Sequence, residues 1–147
     1  MNQKHEKFIL KTLIPYILRE QGRGFGMSLW TVRKSPWLEE VNARSDGIDR
    51  LWPTCNTVAC IGGSAEILTG AFTVASLAKN LGLTKNEADG LFYAWQDESN
   101  RHGFGWPSSY ARRYARAKTP WSKARVVASL LRLVVETKGG CLHWTGR

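Results

Sequence analysis

The segment that decides the fold of this chain reads Leu51-Trp52-Pro53-Thr54-Cys55-Asn56-Thr57-Val58-Ala59-Cys60-Ile61-Gly62-Gly63. It combines two cysteines with an Asn-Thr pair and a Gly-Gly doublet. Side chains such as Asn56 and Thr57 cap helices, because their oxygens accept hydrogen bonds from the first free backbone N–H groups. We therefore predict a helix that begins at Asn56 or Thr57, ends at about Thr69 and is terminated by Gly70. Its small residues would let another helix approach closely.

Apolar residues recur at helical spacing in the N-terminal segment from Glu6 to Gln21. Gly22 follows this segment and can adopt the left-handed conformation that ends a helix. Pro15 interrupts the pattern, because proline lacks a backbone donor and its ring collides with the preceding helical turn. The sequence thus predicts an N-terminal helix that Pro15 kinks or splits in two.

Four further helices are predicted downstream from start and stop signals of the same kind. They run from about Thr73 to Asn80 before Gly82, from the capping box Thr84-Lys85-Asn86-Glu87 to about Asp97, from Pro107 through Arg116, and from Thr119-Pro120 to about Thr137 before Gly139-Gly140. We expect a mainly all-α bundle of five or six helices in one domain spanning residues 1–147. Residues 22–53 should be irregular, with room for a short β element near residues 25–33, and residues 141–147 should form a tail.

At 147 residues the chain has the usual size of one domain, and its 43% hydrophobic and 22% charged residues are ordinary globular values. The N-terminus is polar and has no secretory signal pattern. The most apolar segment, Val126 to Val135, is too short to cross a bilayer and contains Arg132. Three cysteines without an export signal are expected to be reduced thiols. These features predict a cytoplasmic protein without a membrane partner.

The net charge of +9 is the strongest indication about partners, because an excess of Lys and Arg attracts phosphate backbones or acidic protein surfaces. In the last two predicted helices the cations are interleaved with aromatic residues, which can stack on bases. The candidate nucleic-acid-binding residues are Tyr110, Arg112, Arg113, Tyr114, Arg116, Lys118, Lys123 and Arg125, with Trp121 among them. The alternative is that the aromatic residues are core and the cations form the solvated face of two amphipathic helices.

Thiolate and imidazole ligands suit a tetrahedral zinc site, and Cys55, Cys60, Cys141 and His143 could together supply four of them. Four residues separate the first pair and one residue separates the second, and neither spacing favours a shared zinc ion. Buried thiols that pack like small apolar groups are the alternative, and no cofactor is predicted. Cys60 could also be a nucleophile, since the start of a helix lowers a thiol pKa, but nothing places a histidine beside it.

Two shorter patterns are typical of nucleic-acid-binding folds. Residues Thr73 to Phe92 are spaced like a helix-turn-helix, but the second helix carries Glu87 and Asp89, which phosphates would repel. A plain packing hairpin is the alternative. Arg23 to Gly26 copies the first half of the RNA-recognition strand motif, but the residues after it do not continue the motif.

A combination of short motifs over roughly residues 50 to 130 resembles small uncharacterised proteins of bacteria and their phages. The motifs of that family read Cys-Gly-Thr-x-x-Cys-x-x-Gly, Leu-Gly-Leu, Glu-Ala, Leu-Phe and Trp-Pro. In this chain they correspond to Cys55 to Gly63, Leu81-Gly82-Leu83, Glu87-Ala88, Leu91-Phe92 and Trp106-Pro107. The chain departs from the pattern at Asn56, where the family has Gly. The resemblance implies a phage or mobile-element accessory protein and implies no particular reaction.

The leading hypothesis is a basic accessory protein without catalysis that binds nucleic acid or a nucleic-acid-containing host complex, for example to inhibit a host defence system. An acidic host protein is the alternative partner. The second hypothesis is a protein-interaction module or inhibitor that uses apolar and aromatic contacts. The third is a zinc-binding protein or an enzyme built on the cysteines.

Overall fold

The computed structural model describes residues 1–27, 31–33, 57–71, 73–92 and 105–142, with only the backbone at 31–33 and 57–59. The elements in chain order are α1 Gln3–Phe8, a π-helical turn Ile9–Leu13, α2 Ile14–Leu18, a 3-10 turn Arg19–Gly22, β1 Thr31–Arg33, β2 Thr57–Ala59, α3 Ile61–Thr69, α4 Val74–Leu81, α5 Lys85–Phe92, α6 Ser108–Arg116 and α7 Pro120–Glu136. When α1, the π-helical turn and α2 are counted as one helix, the described part of the chain contains six helices. The predicted helical bundle is confirmed.

The N-terminal helix is widened rather than broken at Pro15. The backbone N–H of Ile14 donates to the carbonyl of Ile9, five residues earlier, so the helix makes one π-helical turn before α2. Pro15 has no N–H to offer, and a regular α-helical turn would press its ring against a carbonyl. A wider turn relieves this conflict. The helix is therefore interrupted near Pro15, as predicted, and the π-helical turn separates its two α-helical parts, α1 and α2.

The N-terminal helix ends in a left-handed turn that lies directly against α7. Glu20, Gln21 and Gly22 have φ angles of 50°, 57° and 77°. A Cβ atom on Gly22 would lie 2.5 Å from the carbonyl oxygen of Pro120 and 2.8 Å from the Cβ of Ala124. The α-helix itself ends at Leu18 with Arg19 as its C-cap, so the prediction that Gly22 terminates it is wrong. The missing side chain of Gly22 instead allows the contact between the turn and α7.

The start of α3 differs from the prediction. Its N-cap is Cys60, whose Sγ accepts a hydrogen bond from the N–H of Gly63 at 3.4 Å. The helix cannot begin at Thr57, because β2 pairs antiparallel with β1 and holds this segment extended. Asn56 lies outside the described residues. The strand β1 falls at the end of the interval in which the sequence left room for a β element, and Gly70, with a φ of 74°, ends α3 as predicted.

The later helices begin at the hydrogen-bonding side chains that the sequence indicates. Thr73 caps α4 and Gly82 ends it in a left-handed conformation. The capping box of α5 is formed, since Glu87 N–H donates to Thr84 Oγ1 and Thr84 N–H donates to Glu87 Oε1. Thr119 caps α7.

The remaining helix boundaries differ from the prediction by small amounts or fall outside the described residues. Pro107 is the N-cap of α6 rather than its first residue. The predicted end of α5 at Asp97 is not covered, because the described part of this helix stops at Phe92. At the other end of the chain, Leu142 is only 4% exposed, so the predicted tail at least begins packed on the core.

The apolar side of α7 is the centre of the core, and the described helices bury their apolar side chains in one cluster around it. Its fully buried residues include Val127, Leu130, Leu131 and Val134. On the α6 side, the Trp106 indole N–H donates to a carbonyl of α5 at 3.2 Å, and the ring meets a tyrosine of α6 edge to face. Because α7 packs on α2, on the left-handed turn and on α6, its opposite side is left to solvent.

Among the described residues no single helix is both long and apolar enough to cross a membrane, although the pair Ile61–Thr69 and Val74–Leu81, bent by 80°, meets the two criteria jointly.

Substitution of Gly22 by Ala should lower the free energy of unfolding by at least about 2 kcal/mol, because left-handed alanine costs about 1–2 kcal/mol and the new Cβ overlaps Pro120. Gly70→Ala is the matched control, since φ is 74° there and nothing lies within 4 Å of the added atom. Its loss should stay within about 1–2 kcal/mol, the cost of the left-handed conformation alone, and below that of Gly22→Ala. Urea unfolding measures both, and equal losses would contradict the close contact between the turn and α7.

Candidate nucleic-acid interface

The helix α6 separates its side chains into a buried face and a cationic face. Ala111 and Tyr114, three residues apart, point into the core. Arg112, Arg113 and Arg116 are exposed. The spacing of three to four residues places all members of each set on one side of a helix. The basic residues of α6 are therefore displayed to solvent, as the sequence analysis expected.

The exposed side of α7 carries a second row of cations and one large aromatic ring. Trp121, Arg125 and Arg132 follow one another at spacings of four and seven residues, which align them along the same face of the helix. All three are exposed, with Trp121 at 41%. From residue 121 to residue 132 the row extends for about 16 Å, eleven rises of about 1.5 Å.

The row on α7, one arginine of α6 and the end of α2 enclose a groove of ≈ 420 Å³. We refer to it as the arginine groove, and it is lined by Leu18, Arg113, Trp121, Ser122, Arg125, Val126, Ala128, Ser129 and Arg132. Three guanidinium groups, two hydroxyl groups and an indole ring therefore line one concave surface. The small residues Ala128 and Ser129 leave open the space between the two ends of the row.

The charge of the arginine groove is not neutralised by neighbouring acids in the described part of the chain. No carboxylate is among its lining residues, and none of Arg113, Arg125 and Arg132 forms an ion pair there. Glu136 lies one turn beyond Arg132 without bonding to it. In the sequence, the stretch from Ser99 to Val135 contains eight Lys or Arg residues and no Asp or Glu. A positive potential that no described carboxylate offsets attracts anions into the groove.

The three aromatic residues of this region have different environments. The sequence left two roles open for them, stacking on bases or burial in the core, and they do not all take the same one. Tyr114 is 2% exposed, and its hydroxyl accepts a hydrogen bond from the N–H of Met27 at 3.2 Å. It is a core residue, so the prediction that it stacks on bases is wrong. Tyr110 is half-buried beside the guanidinium of Arg113. Trp121 alone of the three is exposed, so a stacking role is open to it.

No guanidinium group of the described residues stacks closely on the Trp121 ring. The Cζ atom of Arg125 is 5.9 Å from the ring centroid, which is at the outer limit of a cation–π contact. For comparison, Arg19 lies only 3.7 Å above the ring of Tyr16. The Trp121 ring is thus accessible to a further planar group in a way that the Tyr16 ring is not.

Only part of the predicted binding set lines the arginine groove. Arg113 and Arg125 belong to it, whereas Arg112, Arg116 and Lys118 are exposed outside it. Lys123 is partly buried, with its Nζ 5.5 Å from the ring centroid of Tyr114. Arg132, Ser122 and Ser129 were not among the predicted site residues. The signal that could have identified Arg132 is its position seven residues after Arg125 on the same helical face.

The two cysteines that the structure describes, Cys60 and Cys141, have the properties of packed thiols. Cys60 is buried, and burial raises the pKa of its thiol to about 11 although the hydrogen bond from Gly63 acts in the other direction. The expected lowering of this pKa by the helix start is therefore wrong, because desolvation outweighs it. Burial also raises the pKa of the half-buried Cys141.

No metal site is formed by the described residues, since no three His, Cys, Asp or Glu side chains there are grouped to hold an ion. Two of the four weak zinc candidates, Cys60 and Cys141, are described as free thiols. The other two, Cys55 and His143, lie outside the described residues.

The two shorter sequence patterns form parts of the core. Ala78 and Leu81 of α4 face Ala88 and Leu91 of α5, and all four are buried. The two helices are a packing pair, and Phe25 of the RNA-recognition-like pattern is itself only 6% exposed. Its ring therefore cannot stack on a base.

A second groove of similar size lies on the opposite end of the N-terminal helix. We refer to it as the lysine groove, and it is lined by Lys4, His5, Phe8, Thr69, Lys79 and Asn80. It also contains no carboxylate, but its lining residues include neither a guanidinium group nor an indole ring.

Comparison of the chain with protein-family models, with curated proteins and with solved structures finds no match. The resemblance to small phage and bacterial proteins accordingly stays a prediction from the sequence motifs.

Alkaline pH should destabilise the protein through Cys60. The pKa of this thiol is raised from 9.0 to about 11 in the folded state, so its contribution to stability is complete below about pH 9 and is lost as the pH rises through about 11. The free energy of unfolding should fall by up to about 1.4 kcal/mol per pH unit in this window.

The Cys60→Ser variant is the control, because serine keeps an acceptor for the Gly63 N–H and does not titrate there. Its unfolding free energy, measured in urea at several pH values, should decline less steeply than that of the wild type. Parallel curves would contradict the buried thiol.

Proposed function

We propose that this protein binds nucleic acid through the arginine groove. The observation that carries the proposal is the set of three guanidinium groups, free of ion pairs among the described residues, around an exposed tryptophan. Guanidinium groups match the geometry of phosphate oxygens and can bind them through two parallel hydrogen bonds. The net charge of +9 adds a long-range attraction to the same partner.

The physical basis of the binding is the release of counterions from the phosphate backbone. Each phosphate that an arginine neutralises sets free cations that were condensed on the nucleic acid. The affinity should accordingly fall steeply and regularly as salt is added. An interaction with a protein through apolar contacts, the second hypothesis from the sequence, lacks this steep dependence.

The biological role proposed here is that of a phage or mobile-element accessory protein which engages nucleic acid or a nucleic-acid-containing host complex. Inhibition of a host defence system is one such role. The support for it is the resemblance in sequence motifs together with the basic groove. No catalytic step is part of the proposal.

The decisive experiment compares two charge-neutralised variants in nucleic-acid binding across a salt series. Arg125→Gln combined with Arg132→Gln removes two cations from the arginine groove. Lys4→Gln combined with Lys79→Gln removes the same charge from the lysine groove. Fluorescence anisotropy of labelled DNA and RNA gives the affinity at each salt concentration.

The arginine variant should lower the slope of log affinity against log salt by about two, since each lost phosphate contact lowers it by about one. The lysine variant should leave the slope close to that of the wild type. Wild-type binding that is insensitive to salt, or an equal effect of both variants, would contradict binding through the arginine groove. Salt-insensitive capture of a protein partner through apolar contacts would favour the interaction-module hypothesis.

A further inference from the structure

The exposed indole of Trp121 makes the arginine groove more selective than a basic surface alone. A row of cations attracts single and double strands alike, because both carry phosphates. A planar ring that is open to solvent adds a contact only with an unpaired base. This step rests on the proposed function and concerns which form of nucleic acid the groove accepts.

We infer that the arginine groove binds single-stranded nucleic acid, with one base stacked on Trp121 and the backbone following Arg125 to Arg132. The ring lies at the start of α7, and the two arginines follow along the same face. Arg113 faces them from α6 across the groove. The strand would therefore have a stacking position at one end and cations along both walls.

The size of the groove agrees with a single strand. A volume of ≈ 420 Å³ is in the range of pockets that hold one small ligand, which suits one unpaired base beside Trp121, while the backbone of the strand follows the row of cations. The row of about 16 Å equals about five nucleotides of one strand at the stacked rise of 3.4 Å. An extended strand would present fewer nucleotides over the same length.

The faces of paired bases are not available to Trp121. In a duplex each base is covered on both faces by its neighbours, so an indole could reach one only after the base is unstacked or flipped out. A single strand exposes its bases at little expense. The contact with Arg125 at 5.9 Å is loose enough for a base to pack against the ring with the guanidinium beside it.

The test measures the affinity of Trp121→Leu and Trp121→Phe for a labelled single-stranded DNA, a single-stranded RNA and a hairpin duplex of about 12 nucleotides or base pairs. Leucine keeps an apolar side chain without a ring, and phenylalanine keeps a smaller ring. Urea unfolding of each variant confirms that the fold is retained, as expected for an exposed position.

The wild type should bind at least one single strand more tightly than the duplex. Trp121→Leu should weaken that binding by roughly 5- to 150-fold, the loss expected for one stacked base, whereas Trp121→Phe should retain most of the affinity. Binding to the duplex should change by less than about two-fold, because phosphate contacts alone hold it. The response of DNA and RNA identifies which single strand is preferred.

Equal affinity of the wild type for single strands and duplex, or an equal loss on both in Trp121→Leu, would overturn this inference. Salt-dependent binding through Arg125 and Arg132 would in that case still support the proposed function. Absence of salt-dependent binding to every probe would overturn both proposals, so the two failures are distinguishable.

Discussion

The contact between Gly22 and the first turn of α7 determines how the N-terminal helix packs against α7. A hydrogen atom is all that fits between the backbone of residue 22 and the carbonyl oxygen of Pro120. The left-handed turn that Gly22 completes thereby brings α2 alongside α7, and Leu18 becomes one wall of the arginine groove. The groove therefore depends on a backbone contact that involves none of its charged residues.

The amphipathic character of α7 explains why the core and the candidate site can share one helix. Its valines and leucines occupy the centre of the apolar cluster, while Trp121, Arg125 and Arg132 lie on the opposite side. Burial of one side fixes the rotation of the helix about its axis, because turning it would expose apolar surface. The cations of the groove are consequently held in register by packing, although their own side chains are exposed.

The sequence predicted those features of the fold that depend on neighbouring residues. The helix starts at Thr73, Thr84 and Thr119 follow from hydrogen bonds over three residues, which the sequence displays directly. The predicted start of α3 was wrong, because the true start depends on pairing between β1 and β2, which are far apart in the chain. Such pairing leaves no local pattern. Cys60 was consequently not recognised as the cap.

Residues of the candidate site were likewise identified where a local sequence pattern reveals them and missed where packing decides. Charge clustering identified Arg113 and Arg125, since the exposure of arginine is nearly independent of the fold. The assignment of Tyr114 failed, because aromatic rings are equally at home in a core and on a binding surface, and only the packing of α6 decides between them. Arg132 was not identified because it lies within the most apolar segment of the sequence.

The joining of residues 22 and 120 also has a consequence for the order in which the molecule can form. The N-terminal helix is synthesised before its partner surface on α7, which follows almost a hundred residues later. At about 5–20 residues per second, the delay is about 5 to 20 seconds. Until then α2 lacks its contact with α7, and closing this contact requires a loop of about two thirds of the chain, from residue 22 to residue 120. Completion of the fold, and with it of the groove wall at Leu18, is thus expected only once α7 has been made.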